Sequence, residues 1–228
     1  GHIYEKAGNT PVSYHMFKLA TEADPREGSG WLNFGRAAED LWRTDEARRA
    51  YEKALKLATR DDTRRCTLGN LAALCIDNAL YPEAEKWAKR ALEEFPEFIG
   101  ARANLGFAQL GQRNWAEGWT NYRANIGTLA RPKITYPNPT MWDGTPEQTV
   151  VLHGEQGIGD EISFASMIPD AIRHCKRVIV DCDKRLANLF RRSFPEATVY
   201  GTRNAKTHDG SLWSEQDRTF DASLPIGQ

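Results

Sequence analysis

Residues of matched size return every thirty-four positions in the first half of this chain, and that period narrows the architecture to stacked helical hairpins. Counting from Gly28, Trp31 is the fourth position, Phe34 the seventh, Gly35 the eighth, Ala47 the twentieth, Tyr51 the twenty-fourth and Ala54 the twenty-seventh. The next unit carries Leu71, Ala72, Ala84, Ala88, Ala91 and Pro96, after about three inserted residues near Asp61-Asp62-Thr63. The third carries Leu105, Gly106, Gly118, Tyr122 and Asn125. Counting back from Pro25 gives Ala20, Phe17 and Ser13, and puts Gly1 at an eighth position, as though that unit lacked the start of its first helix. Small residues at positions eight and twenty let two helices approach closely. Trp31, Phe34 and Tyr51 fill the space between hairpins. One hairpin cannot bury its apolar face alone, so stacked hairpins share a core. Helices are predicted over 11–23, 28–41, 45–58, 64–77, 81–94, 98–111 and 115–126, with breaks at Asp24-Pro25, Arg43-Thr44 and Phe95-Pro96.

These residues resemble the tetratricopeptide repeat family, over roughly 1–127. The resemblance implies a groove lined by the first helix of each hairpin. Asn33, Asn70 and Asn104 share the sixth position of three successive units, and a row of amides can clamp an extended backbone through paired donors and acceptors. Arg36 and Arg102 join them as groove candidates, with Asp77 and Gln109 beside them. Trp42, Trp87 and Trp119 are read as packing residues.

From Arg131 the pattern changes. Pro132, Pro137, Pro139 and Pro146 exclude a regular helix over 128–148, which is expected to form an ordered strap against the last repeat, with Tyr136 and Trp142 as its buried aromatics. Over 149–228 a partial α/β domain is expected. Thr149 to His153 reads as a buried strand and Gly154, Gly157 and Gly159 as a tight turn. A helix over 160–174 follows, bent or divided by Pro169, then a strand at 177–181, a helix at 184–193 and a short strand at 197–200. That alternation is the opening of a parallel, Rossmann-like sheet. The tail from Gly201 carries few strand or helix signals, with Trp213 and Phe220 available to pack on the sheet.

The turn lies where ligands bind in such sheets. No lysine follows the glycines, so it is not a nucleotide phosphate loop. A strand-to-helix turn with Asp160 as helix cap also explains it. Trp119-Thr-Asn-Tyr122-Arg123, Pro139-Thr-Met-Trp142-Asp143-Gly144 and His153-Gly-Glu-Gln-Gly-Ile-Gly-Asp160, in that order with Phe164, resemble tetratricopeptide proteins whose C-terminal part is similar to heptosyltransferase-like glycosyltransferases of the two-domain type. The resemblance implies a general base at Asp160, an acceptor site formed by the amides of Gly157, Ile158 and Gly159, and orienting roles for His153 and Glu155. It also implies a nucleotide-sugar donor held by a second domain. Only 28 residues follow Tyr200, so this chain is expected to lack that donor site.

The 30 basic and 31 acidic side chains nearly cancel, which removes the pooled positive charge that nucleic acid or an anionic membrane demands. No apolar run is long enough for a membrane helix. Cys66, Cys75, Cys175 and Cys182 match no metal or redox spacing and read as free thiols of a reducing, cytoplasmic compartment. No metal or cofactor is expected. The chain does not begin with Met and reads as a trimmed piece. The leading function is therefore a scaffold that docks a peptide or helix in the repeat groove. The alternative is a glycosyltransferase of which this chain is a fragment. Self-association through an apolar solenoid end is a further expectation.

Overall fold

In the computed structural model, residues 1–128, 133–138, 140–154, 157–203 and 209–227 are described. The chain divides into two compact units, Gly1–Asn125 and Ile126–Gln228.

The first unit is helical throughout: α1 (His2–Lys6), α2 (Thr10–Ala23), α3 (Gly28–Glu39), α4 (Thr44–Leu57), α5 (Asp61–Asp77), α6 (Tyr81–Glu94), α7 (Ile99–Gly111) and α8 (Trp115–Tyr122). Side chains cap two of these helices: Asn9 accepts from the Val12 amide at 3.3 Å and Glu27 from Ser29 at 3.0 Å. The three inserted residues do not form a loop. They add a turn to α5, where Asp61 and Asp62 face the positive end of the helix dipole. Within each hairpin the small residues permit near contact. A Cβ on Gly35 would stand 2.5 Å from the Tyr51 ring. First helices touch their successors, α3 against α5 and α5 against α7. The core runs from Tyr14 and Phe17 through Phe34, Tyr51, Leu68 and Leu71 to Ala101. Arg48 of α4 and Glu83 of α6 form an ion pair at 2.5 Å that ties one hairpin to the next, and the pair Arg64–Glu94 joins α5 to α6 within a hairpin.

The hairpin turns depart from expectation. Trp42, Ala79 and Arg113 occupy the same turn position and all have left-handed backbones, with φ of 59°, 56° and 65°. Each closes its helix with paired backbone bonds, as Trp42 N–H to Glu39 O at 2.8 Å and Arg43 N–H to Ala38 O at 2.9 Å. Glycine normally fills such a site because a Cβ costs about 1–2 kcal/mol there. Replacing all three by Gly is therefore expected to raise solenoid stability by about 2–3 kcal/mol, the sites being independent. A thermal melt that fails to move upward refutes the strain assignment.

The second unit holds β1 (Thr149–His153), α9 (Ile158–Phe164), α10 (Ile168–His174), β2 (Arg177–Asp183), α11 (Ala187–Ser193), β3 (Thr198–Arg203) and β4 (Ala222–Pro225). Pro169 lies in the first turn of α10, and a short 3₁₀ segment divides α9 from α10. The tail corrects the sequence reading: Ala222–Pro225 is a fourth strand. The order is β3-β2-β1-β4, with β1 parallel to β2 (Thr149 opposite Arg177) and to β4 (Val150 opposite Ala222), and β2 parallel to β3. Only four residues long and ending in Pro, β4 lacks the usual run of β-branched residues. Proline is tolerated because the strand lies at the sheet edge. Its outer side meets the strap, where the Trp142 amide donates to Ser223 O at 2.9 Å.

Alternation assigns the sheet faces. Val150, Leu152, Val178, Val180 and Leu224 pack with Ile168, Ala171 and Phe190 of the helices. Val151 and Ile179 face the other way, onto Ile134, Tyr136, Trp213 and Phe220. Strap and tail therefore supply the aromatic layer on that face. Tyr136 buries its ring on this sheet, and Pro132 and Pro139 lie outside the described residues. Among the described residues no helix is long and apolar enough to cross a membrane.

Candidate functional site

The first helices place the three candidate amides in register, each half-buried. Each leans on the preceding hairpin. Asn33 Nδ2 stands 3.4 Å from His2 Nε2, Asn70 lies beside the Tyr51 phenol, and Asn104 Nδ2 donates to Gly69 O at 3.0 Å. An amide has two donors and two acceptor lone pairs, so one such bond leaves capacity for a ligand. Arg36 is exposed and reaches Glu5 Oε1 at 2.6 Å; Arg102 is exposed and donates to Pro96 O at 3.2 Å. Gln109 is only 4 % exposed, and its amide is engaged by Glu117 and Asn121 of the same hairpin.

Carboxylates gather at the C-terminal ends of α3 and α5. Glu39 accepts from the Tyr51 hydroxyl at 2.5 Å. Burial holds its carboxyl above the usual range; the Tyr51 bond opposes this, and the charges of Asp77 and Asp40 add to it. Ionising Glu39 thus costs the fold. The stability this group lends is present at low pH and lost as pH rises through its raised pKa. Glu39→Gln keeps an acceptor for Tyr51 and is expected to raise the melting temperature at neutral pH, with no gain below the carboxylate range. A pH-independent change sinks that account. A cleft of about 370 Å³ opens beside these groups, walled by Leu74, Asn78 and Trp42. Trp42 corrects its assignment as a packing residue: it is 89 % exposed, because it sits in the turn outside both helices. Trp87 and Trp119 do pack, Trp87 half-buried against the core and Trp119 edge-on to Tyr122 at 5.6 Å.

In the second unit the glycine turn follows the C-terminal end of β1. His153 is buried with its ring 4.9 Å from that of Tyr136. Asp160 is exposed, and its Oδ2 accepts from the Gly157 amide at 3.1 Å, closing the first turn of α9. That bond occupies one of the turn amides proposed for ligand. Ile158 packs against the helix-side core. Gly159 has open space around it, and its carbonyl accepts from Ser163 Oγ at 3.0 Å. Glu155 lies outside the described residues.

The more constrained carboxylate is the neighbouring Glu161. It is 1 % exposed, forms an ion pair with buried Arg203, and accepts from the Asp183 amide at 3.0 Å. Gly154 must be glycine, since a Cβ there would overlap the Glu161 carboxyl. Beside this pair, Asp181 is fully buried and accepts from Tyr136 Oη at 2.8 Å and from Thr202 N and Oγ1 at 3.1 and 2.7 Å. Burial and the neighbouring Asp181 charge push the Tyr136 phenol well above its ordinary pKa. A signal for Glu161 was present in the sequence. It falls three residues after Ile158 and four before Ala165, an interior position of an apolar stripe. Arg203 carries no such mark.

No family model matches the chain. Protein FlbA of Caulobacter vibrioides is 28 % identical over 202 residues, which is 82 % of this chain and 33 % of FlbA. The photosystem I assembly protein Ycf3 of a Synechococcus strain is 28 % identical over 121 residues, or 49 % of this chain and 70 % of that protein. The chain thus spans about a third of the length of FlbA. The solved structure of Pseudomonas aeruginosa PilF superposes with a TM-score of 0.52 at 12 % identity, covering 86 % of this chain and 73 % of that one. The first unit is a tetratricopeptide-type solenoid. A parallel α/β sheet follows it. Solenoids of this type are the usual framework of protein- and peptide-binding scaffolds.

Proposed function

We propose that the chain is a docking scaffold that takes an extended peptide or helix along the first-helix face of its repeats, within a reducing, cytoplasmic compartment. The observation that carries this is the shared register of Asn33, Asn70 and Asn104 on adjoining helices, flanked by the exposed guanidinium groups of Arg36 and Arg102. A scaffold also needs a rigid base, which the continuous core beneath that face supplies. Selection of a displayed random-peptide library on the full chain is the test. A shared motif is expected, with binding weakened about fivefold or more by Asn33→Ala and by Arg102→Glu. Absence of any motif, or indifference to both substitutions, overturns the reading.

A glycosyltransferase is the second reading, favoured by the glycine turn and by the position of β1. That strand pairs with β2 on one side and β4 on the other, which makes its C-terminal end a topological switch point. In this reading Asp160 is the general base, His153 and Glu155 orient the acceptor, Gly157, Ile158 and Gly159 contact it, and a longer protein supplies the nucleotide-sugar site. The capping bond of Asp160 favours the scaffold, and the cleft beside β1 and β4 is lined by Trp142, Leu152, Met167, Leu224 and Ile226 together with Asp170 and His174. Calorimetry with a nucleotide sugar on this chain and on a longer form separates the two readings: binding by neither form removes the second. Self-association is proposed through the exposed apolar side chains of the first two helices, Ile3 and Tyr4 of α1 and Val12 and Leu19 of α2. Sedimentation of wild type against Ile3→Glu tests it, and a wild type that is monomeric at high concentration refutes it.

A further inference from the structure

The geometry points to a basic partner: an Arg or Lys side chain of a docked peptide seated in the cleft between the Trp42 indole and the carboxylates of Glu39, Asp40 and Asp77. This rests on the docking reading above and adds to it the charge of the occupant and the residue that grips it.

Three observations carry the inference. The first is the charge of the cleft. Glu39, Asp40 and Asp77 line a cavity of about 370 Å³ whose walls include no Lys or Arg; Arg36 lies near enough to act on Glu39, and Arg43 and Arg49 line the adjoining cleft on the other side of Trp42 and Asn78. Glu39 spends one oxygen on Tyr51, while the side chains of Asp40 and Asp77 have no ion-pair partner among the described residues. Three like charges around one concavity repel one another, and an incoming cation relieves that repulsion. The second is Trp42. It is the most exposed large apolar side chain of the chain's described residues, at 89 %, and its backbone is held at φ 59°. Nothing in its own unit buries the indole in return for that strain. The left-handed backbone recurs at Ala79 and Arg113 and so belongs to the turn; what sets Trp42 apart is a large apolar ring left in solvent beside carboxylates.

The third is a comparison within the same solenoid. Arg43 lies 4.6 Å from the centroid of Tyr14, Lys53 5.3 Å from Trp31, Arg90 5.7 Å from Trp87 and Arg65 5.8 Å from Phe98. Those four rings are already covered by cations of the chain. Among the described residues no cation covers Trp42, although its ring has the carboxylates nearby that would strengthen the hold on one. A guanidinium fits best, since its plane stacks on an indole while its edge meets carboxylate oxygens. An acidic or purely apolar segment leaves the three charges uncompensated.

Fluorescence anisotropy of labelled octapeptides on the full chain tests this, with alternating Arg and Ala in one, Gln for Arg in the second and Glu for Arg in the third. The Arg peptide is expected to bind about tenfold more tightly than the Gln peptide, more so at low salt, and the Glu peptide least. Trp42→Gly is expected to weaken the Arg peptide about fivefold while leaving the thermal melt unchanged or higher, because glycine suits the left-handed turn. Asp40→Asn with Asp77→Asn is expected to weaken it similarly and to flatten the salt dependence. Equal binding of Arg and Gln peptides, or a Trp42→Gly protein that binds as wild type does, overturns the inference and leaves the docking reading standing. Failure of every peptide, together with an empty library selection, brings down both.

Discussion

Arg203→Met is expected to cost the second unit about 3–5 kcal/mol, the largest single-residue loss foreseen for this protein. The Glu161 carboxylate sits at 1 % exposure and Arg203 at 4 %, so neither can turn to water when its partner is removed. The loss comes from the charge left behind. Glu161 also receives the Asp183 amide and lies directly on Gly154, so one carboxylate joins α9 to the C-terminal ends of β1, β2 and β3. The double variant Glu161→Leu, Arg203→Met removes both charges and is expected to recover most of the loss, since a buried pair exchanged for apolar volume is often neutral. Urea unfolding followed by a probe in the second unit measures both. An Arg203→Met protein as stable as wild type would show that the pair is solvated. A double variant no better than the single would move the cost to packing.

Gly106→Ala is expected to cost about 2–3 kcal/mol by overpacking. Its added Cβ would meet backbone rather than a movable side chain: the Tyr122 amide nitrogen within contact distance, Tyr122 Cα at 2.8 Å and Gly118 O at 2.9 Å. Helices α7 and α8 must then separate. Repeat stacks couple mainly to nearest neighbours, so the damage is expected to stay local. Amide exchange should speed up in α7 and α8 while α3 and α4 keep their protection. Gly159→Ala is the control, because nothing lies within 4 Å of its added Cβ and a helical position favours alanine. Uniform loss of protection along the whole solenoid would refute the local account.

The two units answer differently to the candidate sites within them. In the repeats, Asn33, Asn70 and Asn104 are half-buried and each contacts the preceding hairpin, so their role as a peptide clamp stays a proposal. A separate cleft at the C-terminal ends of α3 and α5 brings Asp77 together with Glu39 and Asp40. In the sheet, the motif Gly-Ile-Gly-Asp160-Glu161 directs attention to Asp160, the exposed acid that caps its own turn. The buried acid beside it bears the structural load. Cys182 fits the same picture: burial pushes its thiol up to about 12, as for a core residue and not a reactive one.

What the sequence determined on its own is everything written in neighbouring positions. The recurrence of Gly35, Ala72 and Gly106, and of Tyr51 and Tyr122, specifies hairpins and their register, because helix contacts fall between residues three or four apart and hairpin contacts between adjoining helices. Thr149 to His153 and Arg177 to Asp181 are legible as strands for the same local reason. Only the tertiary structure decided that Ala222–Pro225 pairs with β1, that Glu161 meets Arg203, and that Trp42 is left in solvent. A four-residue strand with proline has too little propensity to declare itself and is made by the edge it joins. A buried charge is recognisable only once its partner, distant in the chain, is placed beside it. Exposure belongs to the whole unit, because a tryptophan in a turn reads like one in a core until the surrounding helices show which side of it is empty.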